Sequence, residues 1–256
     1  VKIVVCVKTT PDTTAVIKVE GGRASWGETP LVINPWDEYA VEAALQLKEA
    51  QGGTVTAISV GGEEARIGLK HALAMGVEEA VLISDPGLAG VDPAGVARVL
   101  AAAVQKLGGV EVALFGRQAI DDDSGTTAAQ VARRLGWAGL TLASVIKVDG
   151  GSLRVERAME EGRQVVVAKL PAVVSVVKDY GSPRSPSFLG IRKASRTEIP
   201  TWRLGDLGIA APAIGIVPEE LHEAPTREVV CEIITGGSPE ETAEKLAEKI
   251  LGERQK

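Results

Sequence analysis

Residues 110–135 constrain this chain more than any other stretch. An apolar run, Val110 to Phe115, leads into Gly116-Arg117-Gln118-Ala119-Ile120-Asp121-Asp122-Asp123-Ser124-Gly125-Thr126-Thr127 and then into a helical pattern from Ala128 to Leu135. A buried strand that opens through a polar, Gly- and Ser/Thr-bearing turn into a helix is a unit in which α/β proteins hold phosphates. The free N–H groups of the first helical turn point at the ligand, and the helix dipole favours an anion. The expected ligand is therefore a nucleotide. Its phosphate would sit on the N–H groups of Ser124 to Thr127, beside the hydroxyls of Ser124, Thr126 and Thr127. The competing reading is an ordinary βα turn in which Asp and Ser merely cap the helix. Three adjacent carboxylates would repel a phosphate, so they must point away, cap the helix or bond ribose hydroxyls, with Arg117 softening the field.

The rest of the chain repeats the same alternation. Strands are expected at 2–8, Thr54–Val60, Glu79–Ile83 and Val110–Phe115, with a small hairpin at 15–19 and 23–26 around Gly21-Gly22. Helices are expected from Asn34-Pro35, from Glu63 to Ala74, from Asp92-Pro93 to about Leu107, and near 126–135. Asn and Asp suit the cap position, and Pro suits the first helical position. Strands alternating with helices indicate a doubly wound parallel sheet, with ligands at the carboxyl ends of its strands. After Gly136 the pattern changes. Leu140–Val148, Ser152–Arg157, Gln164–Leu170 and Ala172–Val177 read as strands with no helices between them, forming an antiparallel extension. A long polar loop, Asp179–Thr201, follows, then a strand at Val229–Ile234. A terminal helix starts at Ser238-Pro239-Glu240-Glu241.

Composition narrows the function. Of 256 residues, 45% are hydrophobic but only 3% aromatic, so Val, Ala, Ile and Leu must build the core. The formal charge of −6 argues against a general nucleic-acid binder. No apolar run reaches the length of a membrane span, so no membrane insertion is expected. Cys6 and Cys231 are too few for a disulfide framework, which with the strand-like start at Val1 implies a cytoplasmic setting.

Other residues carry weaker signals. Asn34 admits two readings, a helix cap or a contact to an adenine edge or phosphate. Cys6 and Val60, near strand ends, would line an adenine pocket or simply fill the core. His71 and His222 have no metal-ligand company, and no cluster supports a metal. Strings for a P-loop, a dinucleotide fingerprint or a nucleophile elbow are absent, and no acid–base pair stands out, so no catalytic residue is assigned. In the 179–201 loop, Arg184, Arg192, Lys193 and Arg196 surround Phe188, Leu189 and Ile191. An apolar cluster ringed by positive charge suits docking of a protein partner, charge steering the encounter and the apolar side chain holding it. The alternative is a loop folded back on its own domain.

Several pieces, in order and spacing, resemble the β subunit of electron transfer flavoproteins. They are Val5-Cys6-Val7-Lys8, Asn34-Pro35-Trp36-Asp37-Glu38, Ala72-Leu73-Ala74-Met75-Gly76, Gly116 to Asp123, Val155-Glu156-Arg157, Lys169-Leu170-Pro171-Ala172-Val173-Val174 and Gly205-Asp206-Leu207-Gly208. The resemblance implies an α/β, adenine-nucleotide α-hydrolase-like domain over 1–205 that includes a recognition loop at 183–199. A C-terminal arm and helix over 206–256 would contact a partner. It implies a heterodimer in which the α subunit holds most of the FAD while this chain buries AMP. Positions matching that AMP site are Cys6, Asn34, Pro35, Trp36, Asp37, Val60 and Gly116 to Thr127. Phe188 or Leu189 would plug a pocket on acyl-CoA and other dehydrogenases, in the setting of fatty acid β-oxidation. Electrons would pass to a membrane quinone oxidoreductase. The chain would be an electron carrier subunit rather than an enzyme.

Departures from the family pattern matter too. A bifurcating branch carries a second FAD in place of AMP, with Gly at the position of Asp122 and Thr-Ala-Gln after the third acidic residue. Asp122 and Ser124-Gly125-Thr126 stand here instead, which favours AMP. Near Thr13-Thr14 the aromatic residue that some relatives place towards the flavin is missing, leaving Trp36 as a flavin contact. Two rivals remain: a Mg²⁺-dependent nucleotide-hydrolysing or nucleotidyl-transfer enzyme using Asp121 to Asp123, and a stress-type ATP-binding module acting through homodimers.

Overall fold

A computed structural model describes residues 1–217, 219–223, 225 and 231–253. The chain divides into two compact units, Val1–Leu221 and His222–Lys256.

In the first unit, β1 (Lys2–Cys6) sends Ile3 and Val5 into one core and Val4 and Cys6 into another. This is the period-two alternation of a strand covered on both faces. The chain then passes through β2 (Thr9–Pro11), β3 (Lys18–Glu20), β4 (Arg23–Ser25) and β5 (Leu31–Ile33) to α1 (Pro35–Gln51). β3 and β4 form the expected hairpin, and β2 pairs antiparallel with β5. Next come β6 (Thr54–Val60), α2 (Arg66–Met75), β7 (Glu79–Ile83), α3 (Pro93–Leu107), β8 (Val112–Gly116) and α4 (Thr127–Leu135). The predicted helix from Glu63 begins as a 3₁₀ turn, Glu63–Ala65, before α2. α3 starts as its sequence dictates: Asp92 Oδ1 accepts from the Gly95 N–H at 2.7 Å, with Pro93 at the first helical position.

The remaining strands are β9 (Ala138–Asp149), β10 (Ser152–Met159), β11 (Gly162–Lys169) and β12 (Ala172–Val176). α5 (Phe188–Arg196) and β13 (Thr201–Trp202) follow. All but β2–β5 join one nine-stranded sheet in the order β11-β10-β9-β12-β8-β1-β6-β7-β13. Strands β9, β12, β8, β1, β6, β7 and β13 are parallel, and β10 and β11 add an antiparallel margin. Side chains of α1 and α2 join one core and those of α3 and α4 the other.

Three expectations are corrected. Residues 172–176 are not part of the antiparallel extension. They lie parallel between β8 and β9, because their fully buried Ala-Val-Val-Ser-Val run suits the middle of a covered sheet. β9 makes room by serving two partners: its start pairs with β12 and its end with β10. Both ladders shift register in this region, and Leu142 adopts φ +62° with its N–H on Ser175 Oγ at 3.0 Å. Second, the 179–201 segment is not a bare loop, since it contains α5. Ser187 Oγ caps that helix through the Gly190 N–H at 2.9 Å. Third, the strand expected at Val229–Ile234 begins at residues outside those described, and 231–234 form no strand. In the second unit α6 (Pro239–Glu253) begins at Ser238, whose Oγ accepts from the Glu241 N–H at 3.2 Å. No described helix is long and apolar enough to cross a membrane.

Leu114 is fully buried in β8, between β1 and β12. Leu114→Ala is expected to lower the free energy of unfolding by about 2–5 kcal/mol, measured by urea titration followed by circular dichroism.

Candidate functional site

β6 and β8 lie on opposite sides of β1, so the winding reverses there. Outside the carboxyl ends of these strands and β7 lies a crevice of about 520 Å³. That volume falls within the range of small-ligand sites, about 300–1,000 Å³. Val60, Leu88, Val91, Val96, Leu100 and Phe115 give it an apolar wall. Lys8, Asn34, Asp37, Gln118, Asp122 and Ser124 supply polar groups.

The start of α1 builds one side. Asn34 precedes Pro35 but does not cap the helix with its side chain. Its Nδ2 donates to Gln118 O at 2.8 Å, and its Oδ1 accepts from the Ile120 N–H at 3.2 Å. Plain N-capping is therefore not what this buried amide does; it clamps the 116–127 turn. Asp37, one helical turn on, accepts from the Lys8 N–H at 2.7 Å. Burial pushes its carboxyl up to about 7, against hydrogen bonds from Lys8, Asn34 and Gly116 that favour the charge. Gly116 is required at this approach: a Cβ there would lie 2.4 Å from Asp37 Oδ1 and 2.7 Å from the Trp36 carbonyl carbon. The Trp36 ring carries the Arg117 guanidinium 5.5 Å from its centroid.

The acidic string of the turn is tied up internally. Lys8 Nζ donates to Asp121 Oδ1 at 2.7 Å and lies 3.4 Å from Asp122 Oδ2. Asp122 Oδ1 accepts from the Ser124 N–H at 3.1 Å. Asp123 pairs with Gln118 Nε2, donates its N–H to Ala119 O at 2.9 Å, and takes φ +53°. Among the described residues no group of His, Cys, Asp and Glu is arranged to hold a metal ion.

Ser124 has given its N–H to Asp122, so the row of free amides is shorter than the sequence suggests. Among the described residues, the N–H groups of Gly125, Thr126 and Thr127 find no acceptor, and Thr126 provides no side-chain cap to α4. Ser124, Gly125 and Thr127 line the crevice. Thr126 faces a shallower depression on another side of the turn, its Oγ1 accepting from Gln130 Nε2 at 3.1 Å. Ala119 lines the crevice, while Ile120 meets Asn34 through its N–H.

Cys6 and Val60 both line the crevice. Burial, with Asp37 nearby, pushes the Cys6 thiol well up. Sequence reasoning missed Lys8 as a site residue and missed the β7–α3 connection, which contributes Ser84, Leu88 and Val91. The signal was available, since Lys8 and Ser84 directly follow the ends of β1 and β7, where doubly wound sheets bind ligands.

A second exposed feature is α5. Phe188, Leu189 and Ile191 are 81%, 74% and 54% exposed, and Arg192, Lys193 and Arg196 are exposed beside them. Arg184 is occupied within the chain instead, held by Glu42 at 2.8 Å and Glu49 at 2.6 Å.

A doubly wound sheet with its crevice at the winding reversal defines a class of α/β domain, and the comparisons narrow it. Residues 28–207 match the family model described as electron transfer flavoprotein domain. The chain is 36% identical over 230 residues to the electron transfer flavoprotein subunit beta of Clostridium acetobutylicum, covering 89% of this chain and 88% of that one. It is 38% identical over 235 residues to the same subunit of Megasphaera elsdenii, covering 88% and 85%. It is 35% identical over 255 residues to the caffeyl-CoA reductase-Etf complex subunit CarD of Acetobacterium woodii, covering 97% of each. The chain belongs to the electron transfer flavoprotein β-subunit family and has an electron-transfer role.

Asp37 titrates near 3.8 when unfolded and near 7 when folded, so folding takes up a proton between those values. The stability of the neutral form is complete below the lower value and declines as pH rises towards the upper one. Relative to Asp37→Asn, which cannot titrate, the wild type should lose stability with rising pH across that window in urea titrations. Gly116→Ala should destabilise by about 1–3 kcal/mol in the same assay.

Proposed function

We propose that this chain is the nucleotide-holding and docking subunit of a heterodimeric electron transfer flavoprotein, with AMP as its structural ligand. One observation carries the reading: an apolar-walled crevice of mononucleotide scale is bordered by Gly125 and Thr127, whose N–H groups find no acceptor among the described residues. Those donors and the α4 dipole suit a phosphate. Lys8 supports the fit by neutralising Asp121 and Asp122, which would otherwise repel the anion. The apolar wall of Val60, Leu88, Val91 and Phe115 suits a base. Bound nucleotide would stabilise the fold by linkage.

The FAD of the complex is held mainly by the α subunit, with this chain helping to hold it. That flavin supplies the redox chemistry when bound, while the protein positions and tunes it. This chain's residues perform no bond chemistry in the reading. They bind the nucleotide, and α5 presents Phe188 and Leu189 to acyl-CoA and other dehydrogenases. Arg192 and Lys193 steer the encounter. Electrons leave towards a membrane quinone oxidoreductase. The arm and helix, residues 206–256, contact the α subunit.

The side chain of Asp122 favours AMP over a second FAD. It lines the crevice, held by Lys8 Nζ and the Ser124 N–H, and takes up space that a glycine there would leave to a larger ligand. Metal-dependent ATP hydrolysis is disfavoured because Asp121 and Asp123 are turned to different partners, Lys8 and Gln118.

Denaturing the purified complex should release AMP in equal amount to this chain, measured by chromatography of the supernatant. Release of no adenine nucleotide, or of FAD at twice the amount of the chain, overturns the assignment. Phe188→Ala and Leu189→Ala should slow reduction by an acyl-CoA dehydrogenase while leaving AMP content unchanged.

A further inference from the structure

We propose that the apolar tip on α5 is held preformed by two arginine staples, and that Arg184 and Arg66 are positioning residues for dehydrogenase docking. The inference rests on the docking role proposed for α5 and adds what sets its conformation.

The first staple lies just before the helix. Arg184 Nε and Nη2 donate to the two carboxylate oxygens of Glu42 at 2.8 and 3.1 Å, and Nη1 and Nη2 donate to those of Glu49 at 2.6 and 3.1 Å. The Arg184 N–H adds a bond to Glu42 Oε2 at 3.0 Å. One guanidinium thus grips two carboxylates in fork geometry, which a lysine cannot reproduce. Glu42 is only 6% exposed at its side chain and is shared with Gln46, whose Oε1 accepts from Tyr180 Oη at 3.2 Å. Burial alone would push the Glu42 carboxyl up; the Arg184 bonds outweigh it and hold the group low. All three acceptor residues stand on α1, at Glu42, Gln46 and Glu49.

The second staple lies beyond the helix. Arg66, the first residue of α2, donates Nη1 to Ile199 O at 2.8 Å and Nη2 to Thr201 Oγ1 at 2.7 Å. Between the staples α5 sits flush on α2. A Cβ at position 190 would lie 2.2 Å from Ala74 O, so only Gly190 permits that approach, and Ala194 is buried.

An exposed Phe-Leu pair gains nothing from burial in its own fold, so its conformation must be imposed from elsewhere. If the segment had to order on encounter, each docking event would carry that entropic cost. Fixing both ends and the inward face removes it beforehand. The staples should therefore act on affinity for the dehydrogenase, not on electron transfer once docked.

The test uses the intact α/β complex and an acyl-CoA dehydrogenase reduced by its acyl-CoA. Arg184→Ala and Arg66→Ala should each raise KM for the dehydrogenase about tenfold, equivalent to about 1.4 kcal/mol, with kcat within about twofold. Arg184→Lys should fall between Arg184→Ala and the wild type. Amide exchange over residues 188–197 should quicken in both alanine variants while the sheet keeps its protection. Wild-type KM and exchange in Arg66→Ala and Arg184→Lys, beside a raised KM in Phe188→Ser, would overturn the staples and leave the docking role standing. Wild-type KM in both Phe188→Ser and Leu189→Ser would remove the docking role and the positioning claim with it.

Discussion

The first turn of α1 is where the architecture is joined. Asp37, buried, takes the Lys8 N–H just past the end of β1 and the Gly116 N–H at the end of β8. Both strands end at the crevice. A carboxylate in that place accepts from backbone N–H groups just past the last β1–β8 pair, Cys6 with Phe115, where an orphaned buried N–H is costly. One turn earlier Asn34 fixes the 116–127 segment through Gln118 and Ile120. Further along the same helix, Glu42 and Glu49 hold Arg184. One helix thus sets the mouth of the crevice at its start and the root of the exposed apolar segment along its length.

Much of this fold is legible in the sequence, for identifiable reasons. Strands β1, β6 and β7 are short aliphatic runs bounded by turn residues, and α1 and α3 carry Pro at their first positions behind Asn34 and Asp92. Those signals are local. β12 escapes because its placement is not local: nothing in Ala172–Val176 says whether it extends the ribbon or slips between β8 and β9. α5 escapes because its start, Ser187-Phe188-Leu189-Gly190, carries a glycine where a helix would ordinarily avoid one, and that glycine is there for the Ala74 carbonyl across the interface. A residue chosen for a distant contact looks like a loop residue when read along the chain.

The candidate site divides the same way. The turn at 116–127 announces itself through its spacing, and its amide donors were expected from the start of a helix. Which of its carboxylates are neutralised was not readable, because Lys8 lies 113 residues from Asp121 in sequence. The apparent conflict between an acidic string and an anion exists only in one dimension. Arg184 shows the converse. It belongs to a positively charged cluster by sequence and to a carboxylate clasp by structure, so the local charge count overstates what α5 offers to a partner.

β9 carries a mechanical implication of its own. It is rooted in the parallel sheet beside β12 and projects into the β10–β11 ribbon, with its change of course at Leu142 and Ser175. Thr141, Leu142 and Ser175 also flank the depression on which the turn residues Ser124 to Thr126 border. The ribbon is thus anchored to the parallel sheet at Leu142 and Ser175, beside the 116–127 turn, so that the margin of the sheet and the turn share one depression.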